Sequence, residues 1–215
     1  MIPSEEGLRI VFSQSGLESG FSVSTKASVV DAASLDAGGF RVSCTSGAVE
    51  SETMVWNDVS FTKSGSSFHG DKWWPDSDPA YHFYASNSAL TFDAGGCTVS
   101  ASTATDVVCA YMQNPTYKTE NTLSFDHIFA RIGNMTVVAL DGYTISNVSI
   151  RVTPKTSGTY NIRTGAGQTD DTGWNSKVDG SVAEIAASSP GTFVNDLYLI
   201  PGQALNMCET YILDV

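Results

Sequence analysis

The chain has few charged side chains. Only 16% of its 215 residues are Asp, Glu, Lys or Arg, against roughly 25% in an ordinary soluble domain. Lys and Glu, which normally fill exposed helix faces, are scarce. Ser, Thr, Gly and Asn take their place and favour strands and turns. Basic residues are the rarer sign: 11 Lys and Arg face 23 carboxylates, a formal net charge of −12. A surface of that sign repels phosphate backbones and anionic lipid headgroups, which excludes nucleic acid and makes docking on a membrane surface unfavourable. No run approaches the ~20 apolar residues of a membrane helix. Four cysteines (Cys44, Cys97, Cys109 and Cys208) and three histidines form no C-x-x-C pair and no zinc-finger spacing, so neither a metal nor another cofactor is expected. Cys97 and Cys109 could bridge neighbouring strands in an oxidising compartment, and buried free thiols are the favoured alternative. The start, Met1-Ile-Pro-Ser-Glu-Glu, has neither the basic nor the apolar region of a signal peptide. The expectation is either a leader already removed or a protein that reaches the outside without one.

Apolar residues are plentiful, at 41%, enough for a core without metal or disulfide staples. They recur in short runs separated by Gly, Ser, Asn and Asp clusters. Strands are predicted over residues 8–12, 21–25, 40–44, 59–62, 80–85, 97–101, 106–112 and 122–125, and again over 135–140, 145–153, 159–163, 196–200 and 205–213. In Val148-Ser-Ile150-Arg-Val152 the apolar side chains fall at every second residue, the period of a strand with one buried face. Helical turns are expected only at 126–132 and 182–187. Many short strands at this spacing imply an all-β sandwich or barrel. The expected organisation is a β-sandwich over residues 1–163, a Gly-rich loop or linker over 164–181, and a C-terminal β segment over 182–215.

Catalytic constellations are thin. No Gly-x-Ser-x-Gly elbow is present, and His127 is the only histidine with an adjacent carboxylate, Asp126. Neighbours on a strand point apart, so a hydrogen-bonded structural histidine is expected there and no enzyme activity. Asp76 and Asp78, and Asp170 and Asp171, lack the oxygen spacing of a calcium loop and read as solvated turn residues. Gly165-Ala-Gly167 has no strand-then-helix context for a phosphate loop. Asn134-Met-Thr136 and Asn147-Val-Ser149 fit the glycosylation pattern, which matters only in a eukaryotic secretory pathway. The densest aromatic cluster is Trp73-Trp74 followed by Tyr81-His-Phe83-Tyr84. The alternation of Tyr81, Phe83 and Ala85 places them in the core. Consecutive Trp73 and Trp74 must point to opposite sides if extended, so one of them is the best candidate for a partner or glycan contact.

Four ordered segments resemble the fimbrillin-like proteins of Bacteroidetes, the pilins and tip adhesins of donor-strand pili. They are Phe12-Ser13 with Ser24-Thr25-Lys26-Ala27; Trp73-Trp74-Pro75 leading to Tyr81-His-Phe83-Tyr84-Ala85; Asp106 to Tyr111 with Leu123-Ser-Phe125-Asp-His127-Ile-Phe-Ala130-Arg-Ile132; and Asn195-Asp196-Leu-Tyr-Leu-Ile200-Pro201. The resemblance implies a transthyretin-like, Greek-key β-sandwich with one or two short helical turns and a short C-terminal β extension. It also implies display at the outer membrane or fimbrium and subunits joined by strand addition, which suits an open sheet edge. The candidate pairing strands are the terminal ones, carrying Leu8, Ile10 and Phe12 and, at the other end, Leu205, Met207, Tyr211 and Leu213, with a bulge near Cys208. Partners would be further copies or other pilus subunits, and a host glycan or cell-surface receptor. Two departures from the family pattern stand out: the first cysteine is Cys44, not one close after an export signal, and the sequence stops at Val215, where family members usually continue through a second β-domain. A leaderless surface-type chain also suits a second reading, a bacteriophage virion protein, a capsid decoration or fibre with a host-type β-sandwich.

Overall fold

The computed structural model describes residues 9–17, 30–74, 80–132, 135–138, 148–187, 191–193 and 197–202. In chain order the first elements are β1 (Arg9–Ser15), α1 (Ala32–Gly38), β2 (Phe40–Ser46), β3 (Thr53–Ser64), β4 (Ser67–Trp73), β5 (Tyr81–Ser86), β6 (Thr91–Asp93), β7 (Gly96–Ser102), β8 (Val108–Gln113) and β9 (Glu120–Ser124). There follow β10 (Asp126–His127), β11 (Ala130–Ile132), β12 (Met135–Val137), β13 (Val148–Val152), β14 (Lys155–Asn161), α2 (Ile162–Gly165), β15 (Trp174–Asp179), β16 (Ala183–Ala187), β17 (Gly191–Phe193) and β18 (Leu197–Leu199). The all-β class expected from composition is what the chain adopts.

Eight strands form the main sheet in the order β10-β8-β5-β2-β3-β4-β1-β9. Its two ends, β9 and β10, are consecutive in sequence with Phe125 alone between them, so the sheet curls until its edges nearly meet. Phe125 is the corner: its N–H still donates to Ser15 O at 2.9 Å on the β1 side, and the next residue, Asp126, already pairs with Cys109 of β8. A strand that changes partners at a bend is how sheets turn corners. Inside the curl lies a core rich in phenylalanine: Phe12, Phe40, Phe61, Phe68, Phe83 and Phe125. The second layer is the sheet β15-β14-β7-β6. Cys97, Val99, Tyr160 and Trp174 from that layer cover Tyr84 and Cys109 of the main sheet in a second core. All six residues of β5 are buried because both of its faces are covered. Tyr81, Phe83 and Ala85 enter the first core, as their alternation predicts, and Tyr84 enters the second. The pairs β11-β18, β12-β17 and β13-β16 complete the described strands.

A buried ionic clamp ties the layers together. The Glu52 side chain is only 4% exposed and accepts from Arg163 at 3.0 Å, Tyr84 Oη at 2.5 Å and Thr45 Oγ1 at 2.8 Å. Burial pushes its pKa up, but the hydrogen bonds from Tyr84 and Thr45 and the charges of His82 and Arg163 outweigh that and hold the carboxyl below its ordinary value. The cation comes from α2, the anion from the β2–β3 connection.

Several elements depart from expectation. Residues 126–132 form β10 and β11 instead of a helical turn, because Asp126 and His127 pair with β8 and residues 130–132 pair with β18. Residues 182–187 likewise supply a strand, β16, which pairs with β13 over five positions. Helix forms instead at α2 and at α1, whose N-cap is Asp31, with Oδ1 accepting from Ser34 N at 2.7 Å. Helix α1 ends at Gly39, with φ 71°. Residues 164–181, expected as a loop, carry the end of α2 and all of β15. The predicted strands at 21–25 and 205–213 lie outside the described residues.

Candidate functional site

The strand β1 holds the most unusual position. It lies between β4, antiparallel, and β9, parallel, and a hairpin joins it to neither. On the β9 side the register runs from Val11↔Glu120 to Ser15↔Ser124. Side chains echo the ladder where Ser13 Oγ meets Thr122 Oγ1 at 2.8 Å. Ile10 and Phe12 point into the first core and are essentially inaccessible. Phe12 meets Phe83 edge-on at 4.9 Å and Phe61 at 5.1 Å between ring centroids. The strand that carries the predicted pairing residues Ile10 and Phe12 is therefore already flanked on both sides by the chain's own strands. Leu8, Leu205, Met207, Tyr211 and Leu213 lie outside the described residues.

The tandem tryptophans separate to opposite sides, as strand geometry requires. Trp74 is 3% exposed and packs against Tyr81, Phe83 and Tyr117, so it is a core residue. Trp73 is 37% exposed, with the Arg9 guanidinium 5.1 Å from its ring centroid. Of the two, only Trp73 offers a contact surface.

His127 bonds to a carboxylate that sequence adjacency does not suggest. Its Nδ1 lies 2.9 Å from Asp106 Oδ2, and the Asp106 side chain has no exposure at all. The same oxygen accepts from Val30 N at 2.8 Å. Asp106 is 21 positions from His127, and only the pairing of β10 with β8 brings them together. Asp170 caps its own turn through Thr172 N at 2.9 Å, and Asp171 pairs with Lys177. Asp76, Asp78, Asn134 and Asn147 lie outside the described residues. Among the described residues no group of three His, Cys, Asp or Glu side chains could hold a metal ion. No helix among them is long and apolar enough to cross a membrane.

Cys44, Cys97 and Cys109 are free, buried thiols. Desolvation raises the pKa of Cys97 and of Cys109 to about 12, and it raises that of Cys44 as well.

Comparison with known proteins adds the family. A putative cell adhesion protein from Bacteroides ovatus superposes with a TM-score of 0.52 at 16% identity, covering 94% of this chain and 84% of that one. A fimbrial protein from Bacteroides vulgatus superposes at 0.55 with 14% identity, covering 93% and 78%. At such identities the likeness is one of fold. No curated protein sequence matches. The sequence profile described as fimbrillin-like matches residues 25–213, nearly the whole chain: this protein belongs to the fimbrillin-like family.

Proposed function

We propose that the protein is a non-enzymatic cell-surface subunit, located at the outer membrane or fimbrium, that works in adhesion and assembles with other subunits by β-strand addition. Family membership supports the surface role, as do the fimbrial and cell-adhesion names of the proteins that share its fold. The observation that carries strand addition is the placement of β1. A strand held by ladders on both flanks, with Ile10 and Phe12 in core pockets and no hairpin to either neighbour, is one that another molecule can supply with the same contacts. Removing it exposes two rows of backbone donors and acceptors at once. Trp73, the accessible member of the tandem pair, is the proposed partner or receptor contact on the same molecule.

The test is deletion of residues 205–215, the other proposed pairing segment, followed by light scattering and electron microscopy. The truncated protein is expected to fold with a β-type circular-dichroism spectrum and fail to assemble. Normal assembly of the truncated protein refutes the strand-addition reading.

A further inference from the structure

Between the main sheet and the turn after α2 lies a cleft of about 570 Å³, within the roughly 300–1,000 Å³ of small-ligand sites. One wall is the main sheet, with Tyr111, Ser124, Asp126 and His127. The other is the turn after α2, with Gly165–Gly167, Gln168 and Thr169, above Tyr160.

Both walls are set in advance. Gly165 and Gly173 let the turn lie flat on the Tyr160 ring: a Cβ at Gly165 would sit 2.3 Å from that ring, and one at Gly173 would sit 2.6 Å from Gly165 Cα. That close approach, and not phosphate binding, accounts for Gly165. Gly167, at φ 69°, has nothing within 4 Å of where its Cβ would stand, so it leaves the turn open. On the opposite wall Asp106 fixes the histidine ring from behind. A carboxylate only accepts, so Nδ1 of His127 carries the proton in this bond, and the ring is held in one orientation. Tyr111 is fixed too, its Oη 3.2 Å from His82 Nδ1 and its ring 5.0 Å from that of Tyr84.

The lining selects a ligand chemistry. It contains no Lys or Arg and one exposed carboxylate, Asp126, so phosphorylated, sulfated or sialylated groups meet repulsion without a counter-charge. What it offers is closely spaced hydroxyl, amide, imidazole and carboxylate groups beside the half-buried aromatic surface of Tyr111. A ring with hydroxyls on its rim and one C–H face satisfies both kinds of surface. We infer that this cleft binds a neutral pyranose unit, as a free sugar or as the end of a displayed glycan, at a site separate from both Trp73 and β1. Fixed walls matter because a ligand this small has little binding energy to spend on ordering its site.

The experiment uses the full chain. Neutral, sialylated and sulfated glycans on an array are compared with free methyl hexopyranosides and disaccharides followed by NMR titration, which separates a displayed glycan from a free sugar. Saturable binding of at least one neutral pyranose is expected, with shifts centred on Tyr111, His127 and Gln168. Asp126→Ala and Gln168→Ala should each weaken it tenfold or more with melting temperatures unchanged, while Trp73→Ala leaves it intact. The proposal is overturned by absence of saturable binding to every neutral pyranose, by preference for the anionic glycans, by full binding in both cleft variants, or by loss only in Trp73→Ala. Assembly measured on the same samples keeps this result separate from the strand-addition reading.

Discussion

Phe12→Ala removes the aromatic ring that β1 places in the first core. The ring is fully buried and touches three others, at centroid distances of 4.9 Å to Phe83, 5.1 Å to Phe61 and 6.4 Å to Phe40. Those neighbours cannot move inward freely, because Phe40 is itself packed against Phe68 at 4.6 Å and Phe125 at 5.1 Å. The cavity therefore persists, and the loss belongs near the middle of the range for such truncations, about 4 kcal/mol. For a chain of this length each kcal/mol lowers the melting temperature by roughly 2–4 °C, so a drop of about 8–16 °C follows. Total stability is only about 5–15 kcal/mol, which puts the change well above detection. Urea and thermal unfolding of the monomer measure it, with the half-exposed Trp73→Ala as comparator, expected within about 1 kcal/mol of the parent. A Phe12→Ala protein as stable as Trp73→Ala would refute the reasoning, because it would mean that β1 is not seated in the core in solution.

Arg163→Met breaks the clamp on Glu52 and is expected to cost about 3 kcal/mol at neutral pH, the low end for a buried pair because Arg163 keeps some contact with water. The Glu52 pKa is held below its ordinary value in the fold. Its stabilisation is therefore complete above that ordinary value and disappears as pH falls through the folded one. The parent–variant difference should shrink on acidification, and a difference that grows instead would contradict the assignment. The thiols of Cys44, Cys97 and Cys109, buried and with raised pKa values, should resist iodoacetamide at pH 8 in the native protein and react in urea. Peptide mass spectrometry reads this directly, and native labelling of Cys97 or Cys109 at a free-thiol rate would rule out the packing described.

Legibility of the fold from sequence follows the range of the forces involved. Strands whose apolar period faces one core, such as β2 and β7, stand out because the signal is local. In β5 the alternation of Tyr81, Phe83 and Ala85 is visible, but the equal burial of His82 and Tyr84 depends on a second layer that arrives from residues 91–179. Ser67–Trp73 is polar enough to pass for a loop and becomes β4 by pairing with β3 through Ser64↔Ser67 and Thr62↔His69 on one side and with β1 through Phe12↔Phe68 on the other. The Ile128, Phe129 and Ile132 spacing imitates a helix face, and pairing of the flanking residues with β8 and β18 overrides it. At the sites the pattern is similar. Strand geometry demanded that one of Trp73 and Trp74 be buried, but the choice between them depended on Tyr81, Phe83 and Tyr117. The bond from His127 to Asp106 has no local signature.

These energies also constrain how strand exchange could run. In β1, Ile10 and Phe12 each contribute about 1.5–3 kcal/mol of burial, and each ladder bond adds a net ~1 kcal/mol. A strand from a second molecule would gain the same contacts, but it must also meet an association cost of about 4–15 kcal/mol. The resident strand, tethered at an effective concentration of order millimolar, meets no such cost. With β1 in place an incoming strand of equal quality therefore loses, and the monomer stays closed. Addition becomes favourable only once β1 has been withdrawn, when the groove between β4 and β9 offers its unpaired backbone together with the vacated pockets of Ile10 and Phe12. Under the proposed strand addition, withdrawal of β1, rather than affinity for the incoming strand, is then the step at which assembly would be controlled.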